Sequence, residues 1–128
     1  MKATDDPVGR LLVAVSALTA VSGLVQASAP GPVLRALGCE DSAATRQGFA
    51  TVGMFMTIVG GGTLQALVSA PRDEASRWVF WTGLQKLGAA AAVGVGVRRG
   101  VFGKPAVLVA ANDLGSGLLA LGWWARNR

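Results

Sequence analysis

The stretch Arg77–Arg99, RWVFWTGLQKLGAAAAVGVGVRR, decides how the whole chain is read. Its apolar part, from about Trp78 to Val97, has the roughly 20 residues that a helix needs to cross a hydrocarbon core of about 30 Å. Yet Gln85 and Lys86 stand at its middle. If the segment spans a membrane, an ammonium group at mid-depth needs a partner. If it does not, the chain is a soluble helical protein, and the rest of the sequence should carry polar helix faces.

The rest of the sequence carries none of useful width. Three more apolar tracts run from about Leu11 to Ala29, Gly48 to Ala70 and Ala106 to Ala125, each close to the length of a span. The 128 residues are 52% hydrophobic and 15% charged, against about 25% charged in an ordinary soluble domain. Because backbone polar groups in lipid must be satisfied within the segment, such tracts are helical. The expectation is an all-α integral membrane protein, an up-down-up-down four-helix bundle forming one transmembrane domain over residues 1–128.

The connections are short. Pro30-Gly31-Pro32 reads as a helix stop, followed by a short interfacial turn at Val33–Leu37. Asp41, Ser42 and Thr45 are placed to cap the second long helix. Asp73 and Glu74 sit near the start of the third, where the helix dipole favours them. Gly100 marks its end, and Pro105 suits the first turn of the fourth. The first tract has the outline of a secretory signal ending in Ala27-Ser28-Ala29, but Pro30 follows and the apolar run is long, so it is read as a retained helix.

Orientation follows Lys and Arg in short loops. Six (Lys2, Arg10, Arg72, Arg77, Arg126, Arg128) lie on the side holding both termini and five (Arg35, Arg46, Arg98, Arg99, Lys104) on the other, a slight preference for both termini inside. Small multidrug transporters also have four helices and near-even charge, but they carry a carboxylate in the first span, where this chain has Ser16, Thr19, Ser22 and Gln26. Trp78, Trp81, Trp123 and Trp124 fall toward one membrane face, as in an aromatic belt. They align the last two spans as an antiparallel hairpin.

That hairpin supplies a partner for the ammonium. Counting from Val101 in its loop, Lys86 lies 15 residues back and Asp113 12 residues forward. At 1.5 Å per residue the difference is about 4.5 Å, within reach of a lysine side chain. Two unpaired charges at mid-span would cost roughly 5–7 kcal/mol on insertion-based scales, so pairing is favoured. Gln85 and Asn112, each preceding its charge, extend the polar set, and Gln65 stands nearer the tryptophan face. Intramembrane ionisable groups point to ligand binding or proton coupling; the same pair can instead fix which helices pack together.

Two stripes of small and polar residues point to close helix packing: Ser16, Thr19, Gly23 and Gln26 in the first span, and Gly53, Thr57, Gly60 and Gly61 in the second. Gly60–Gly62 reads as a kink or a place where backbones nearly touch. Met54, Phe55 and Met56 read as core filling, with a ligand groove as the other option. With no His and the single Cys39, the chain offers no histidine-ligated haem, typical zinc site or internal disulfide, and no phosphate loop is present. No metal, cofactor or catalytic residue is expected. The net charge of +5 is divided between both faces, which suits a lipid bilayer rather than nucleic acid.

The segments SGLVQASAPGPVLRALG and GFATVGMFMTIVGGG resemble the first half of small four-helix bacterial membrane proteins grouped as DoxX-like. In those, a first span runs into a Pro-containing loop with a Leu-Gly turn and then a Gly-rich second span. The acidic residue that many members place in the second span is absent here, Gln65 being the nearest polar group. The resemblance implies a bacterial inner-membrane bundle, sometimes an accessory to quinone-linked oxidation, and transfers no catalytic residue. Two functions follow from the whole reading. The first is a non-catalytic accessory or assembly subunit, in a homo-oligomer or larger membrane complex, packing through its Gly-rich faces. The second is a carrier or binder of a small amphiphile (a quinone, lipid or organic ion) using Lys86 and Asp113.

Overall fold

A computed structural model covers residues Met1–Arg128. The chain is all-helical, with a 3-10 turn at Ala3–Asp5 and five α-helices: α1 Pro7–Ser28, α2 Pro30–Ala36, α3 Ala43–Ser69, α4 Arg72–Arg98 and α5 Ala106–Asn127. Three of them, α1, α3 and α5, are long and apolar enough to cross a membrane. The 27-residue α4 equals α3 in length. Its first turns carry Arg72, Asp73, Glu74 and Arg77, and its middle carries Lys86, so its composition is the more polar. All the long helices but α5 start before their apolar tracts, because capping and charged residues are recruited into the first turns.

Local chemistry sets these boundaries. Pro7 opens α1 at a position where its missing N–H costs nothing, and the Asp6 carboxylate accepts from the Gly9 N–H at 2.7 Å. At the far end, Pro30 bars the preceding residue from helical geometry, and Ala29 leaves it at φ −136°. Pro30 is thus the stop expected for α1, but it is also the first residue of α2, which starts three residues earlier than the expected turn at Val33. Both α2 and α4 end in the same 6→1 and 5→2 pattern: Cys39 N–H to Leu34 O at 2.9 Å with Gly38 at φ 65°, and Val101 N–H to Gly96 O at 2.9 Å with Gly100 at φ 73°. Only glycine takes those angles freely. Ser42 caps α3 through the Thr45 N–H. Asp41, expected as a cap candidate, instead bridges Arg35 of α2 and Arg46 of α3. Hydrogen bonding from Arg46, joined by Arg35, holds its carboxyl at about 2.

Neighbouring long helices run antiparallel, and glycines bring them close. A methyl added at Gly23 would lie 2.6 Å from the Gly53 carbonyl oxygen, and one at Gly60 would lie 2.7 Å from the Ala20 nitrogen, so α1 and α3 touch backbone to backbone. The stripe Ser16, Thr19, Gly23 and Gln26 is the buried face of α1. On α3, Gly53 and Gly60 serve the contact, while a methyl at Gly61 would meet nothing within 4 Å. The α4–α5 pair is joined the same way: a methyl at Gly117 would lie 3.1 Å from the Leu87 nitrogen. Between α3 and α4 the Thr63 and Thr82 hydroxyls pair at 2.6 Å, and the Trp78 ring lies over Gly62.

The apolar core is asymmetric. Leu12, Leu67, Val79, Ala120 and Trp123 cluster in the half of the molecule that holds both termini and the α3–α4 turn. Two expectations are corrected here. Met54 and Phe55 do not fill the core; both face outward, Phe55 with 57% of its surface exposed. Trp123 is not a belt residue: it is 1% exposed, and its indole N–H donates to Asp6 at 2.9 Å. Arg72 reaches the same carboxylate and lies over the Trp123 ring. Burial pushes the Asp6 carboxyl up, but the Gly9 N–H, the Trp123 N–H and Arg72 together outweigh it and leave it below its ordinary value.

Candidate functional site

Lys86 and Asp113 meet in the other half of the molecule. The tight α4–α5 connection sets the register, and Gly83 and Gly117 on the facing surfaces let the two backbones approach. Lys86 Nζ donates to Asp113 Oδ1 at 3.0 Å. The residues are 5% and 8% exposed, so little water screens the pair. This single hydrogen bond is the only one either side chain makes within the protein. Asp113 Oδ2 and the remaining ammonium hydrogens are therefore free to meet another group.

The pair lies at the wall of a cavity of about 530 Å³ between α1 and α5, under α2. That volume falls in the range of about 300–1,000 Å³ typical of small-molecule sites. Most of the wall is aliphatic, with Val15, Leu18, Val25, Val33 and Leu108 among its residues. Its polar groups are Thr19, Ser22 and Gln26 from α1, Lys86 from α4, and Asn112, Asp113 and Ser116 from α5. Gln26 Nε2 donates to the Phe49 carbonyl at 2.9 Å, which leaves its Oε1 as an acceptor. The Thr19 hydroxyl is committed to the Val15 carbonyl at 2.9 Å. On the outer margins of the cavity Leu18, Val21, Val25 and Leu108 are exposed, Leu108 to 75%. The roof is pinned, since the Gly103 N–H donates to the Leu37 carbonyl at the end of α2 at 2.8 Å.

The expected polar set separates. Asn112 joins Lys86 and Asp113 on the cavity wall. Gln85 does not; its Oε1 is buried with no hydrogen-bond partner in the protein. Gln65 lies apart, exposed, in a second cavity of about 440 Å³ beside Glu74 and Trp78 at the α3–α4 turn. Gln26, Ser22, Thr19 and Ser116 were not singled out as site residues. The α1 stripe signalled buried polarity but was read as packing, and Gln26 in fact does both. No group of three or more His, Cys, Asp or Glu side chains is assembled to hold a metal ion.

What this arrangement can do chemically is hold, at the inner end of a mostly aliphatic space, a group that exchanges hydrogen bonds with an intact ion pair. An aliphatic wall with a few convergent polar groups is the make-up of a small-molecule binding site. Comparison of the chain with protein-family models, with curated proteins and with solved structures returns no match.

Proposed function

We propose that the chain is an integral membrane protein whose four long helices α1, α3, α4 and α5 all span the bilayer, and that it binds a small amphiphile between α1 and α5. The observation that carries this reading is the cavity of about 530 Å³ whose aliphatic wall ends at the buried Lys86–Asp113 pair. Exposed Leu and Val side chains flank it, so in a bilayer its margins would border acyl chains and a ligand would arrive sideways from lipid. Lys86 does not bar α4 from the membrane, because its charge is matched inside the protein. The resemblance of the first half to DoxX-like proteins supports a place in a bacterial inner membrane. The six-to-five division of basic residues favours both termini in the cytoplasm.

The amphiphile reading is preferred to the accessory-subunit reading for a specific reason. Gly23, Gly53 and Gly60, three of the four glycines in the small-residue stripes that would serve a partner protein, are occupied by contacts within the chain, and Gly61 alone of them is open. The test is saturable binding of a fluorescent single-chain lipid to protein reconstituted in nanodiscs, with Ser22→Trp as the blocked variant, since Ser22 is exposed on the cavity wall. One saturable site that disappears in Ser22→Trp is expected. Non-saturating uptake, or binding indifferent to Ser22→Trp, would overturn the reading.

A further inference from the structure

We infer that the head group this cavity accepts is uncharged and carries both a hydrogen-bond donor and an acceptor, as a long-chain alcohol, a primary amide or a monoacylglycerol does. The inference rests on the amphiphile reading above and narrows it to a ligand class.

The argument starts from charge. Lys86 and Asp113 cancel, and the other polar groups on the wall (Thr19, Ser22, Gln26, Asn112 and Ser116) are neutral. Every other Asp, Glu, Lys and Arg of the chain lies in a loop, at a terminus, or in the end turns of a helix: Arg10 on α1, Arg35 on α2, where it pairs with Asp41, Arg46 on α3, Arg72 to Arg77 and Arg98 on α4, and Arg126 on α5. No third charged residue lines the cavity. An ammonium or carboxylate head would therefore be an uncompensated ion in a mostly aliphatic space, which is costly in a low-dielectric environment. It could be accommodated only by breaking the existing pair and leaving one of its members alone.

Hydrogen-bond valence then selects among neutral heads. The wall offers donors in the spare Lys86 hydrogens and the Asn112 amide, and acceptors in Asp113 Oδ2 and Gln26 Oε1. A head that only accepts would leave Asp113 Oδ2 without a donor once water is displaced, and a buried acceptor left unmet weakens binding. A hydroxyl or primary amide meets both sides of the pair at once.

The experiment uses the reconstituted wild-type protein and a fluorescent monoacylglycerol as reporter. It is displaced in turn by four ligands of one chain length: tetradecanol, tetradecanamide, tetradecanoate and tetradecyltrimethylammonium. The alcohol and amide should displace the reporter at concentrations at least tenfold lower than either ion. If an ion displaces it as well as the alcohol, the uncharged-head assignment is overturned while the amphiphile site stands. If the reporter itself never saturates, both fall. Variants add an inversion: Asp113→Asn, which leaves Lys86 alone, should move preference toward tetradecanoate, and Lys86→Met should move it toward the quaternary ammonium, each by tenfold or more. Unchanged selectivity in a folded variant would show that the pair does not read the head group; should neither variant fold, the wild-type series decides.

Discussion

At the scale of single residues, the Lys86–Asp113 pair sets the sharpest expectation. Removing one partner of a buried pair leaves a bare charge and costs about 3–5 kcal/mol, whereas replacing both with apolar groups is often close to neutral. Thermal unfolding of detergent-solubilised Lys86→Met, Asp113→Leu and the double variant should therefore show two large losses and a recovery in the double, with a coupling of about 2 kcal/mol or more. Equal, additive losses would mean that the two groups act independently. This contact was legible in the sequence because it depends on a short hairpin loop and a fixed rise per residue. Adjacency does not place a side chain: Asn112 beside Asp113 lies on the cavity wall and Gln85 beside Lys86 does not, while the other polar groups that share the cavity with Lys86 come from α1 and α5.

At the scale of helices, glycine divides into two kinds with opposite mutational signatures. Gly60→Ala places a methyl against the α1 backbone and should cost about 1–3 kcal/mol through strain. Gly61→Ala and Gly115→Ala meet nothing within 4 Å and should be neutral or stabilising by up to about 1 kcal/mol, since alanine is the better helix former. Melting temperatures of the three variants in one detergent check the ordering; a Gly61 variant as damaged as Gly60 would contradict the packing described. Helix ends were readable where a single residue carries the signal, as Ser42 does for the start of α3 and Gly100 for the end of α4; the start of α1 at Pro7, ahead of its apolar tract, was not. The length of α2 was not, because Pro30 is compatible with ending one helix and with starting the next. The role of Trp123 was hidden too: an indole near a helix end suits an interface as well as a core, and only its hydrogen bond to Asp6 decides.

At the scale of the whole molecule, acid should loosen the two ends of the bundle, where Asp41 and Asp6 lie. Asp41 has a folded value of about 2 against an ordinary 3.8, so it stabilises the fold fully above about pH 4, and that contribution is lost as pH falls toward 2. Asp6, also held below its ordinary value, acts in the same sense at the opposite end. Unfolding followed from pH 5 to pH 2 in an acid-stable detergent should show stability falling for wild type and a shallower fall for Asp41→Asn; identical slopes would remove Asp41 from the account. The cavity itself was out of reach of sequence reading. It depends on the spacing between α1 and α5, helices from opposite ends of the chain that no loop length constrains.

That closure has a consequence in time. Asp6 accepts from an indole 117 residues further on, so the start of the first helix is tied to the end of the last only once almost the whole chain has been synthesised. A nascent chain halted after α4 would hold the α1–α3 pair, with the Asp6 carboxylate capped by the Gly9 N–H and reached by Arg72 but not yet by the indole, and with no α5 wall on the cavity. The cavity gains its second wall only when the fifth helix arrives.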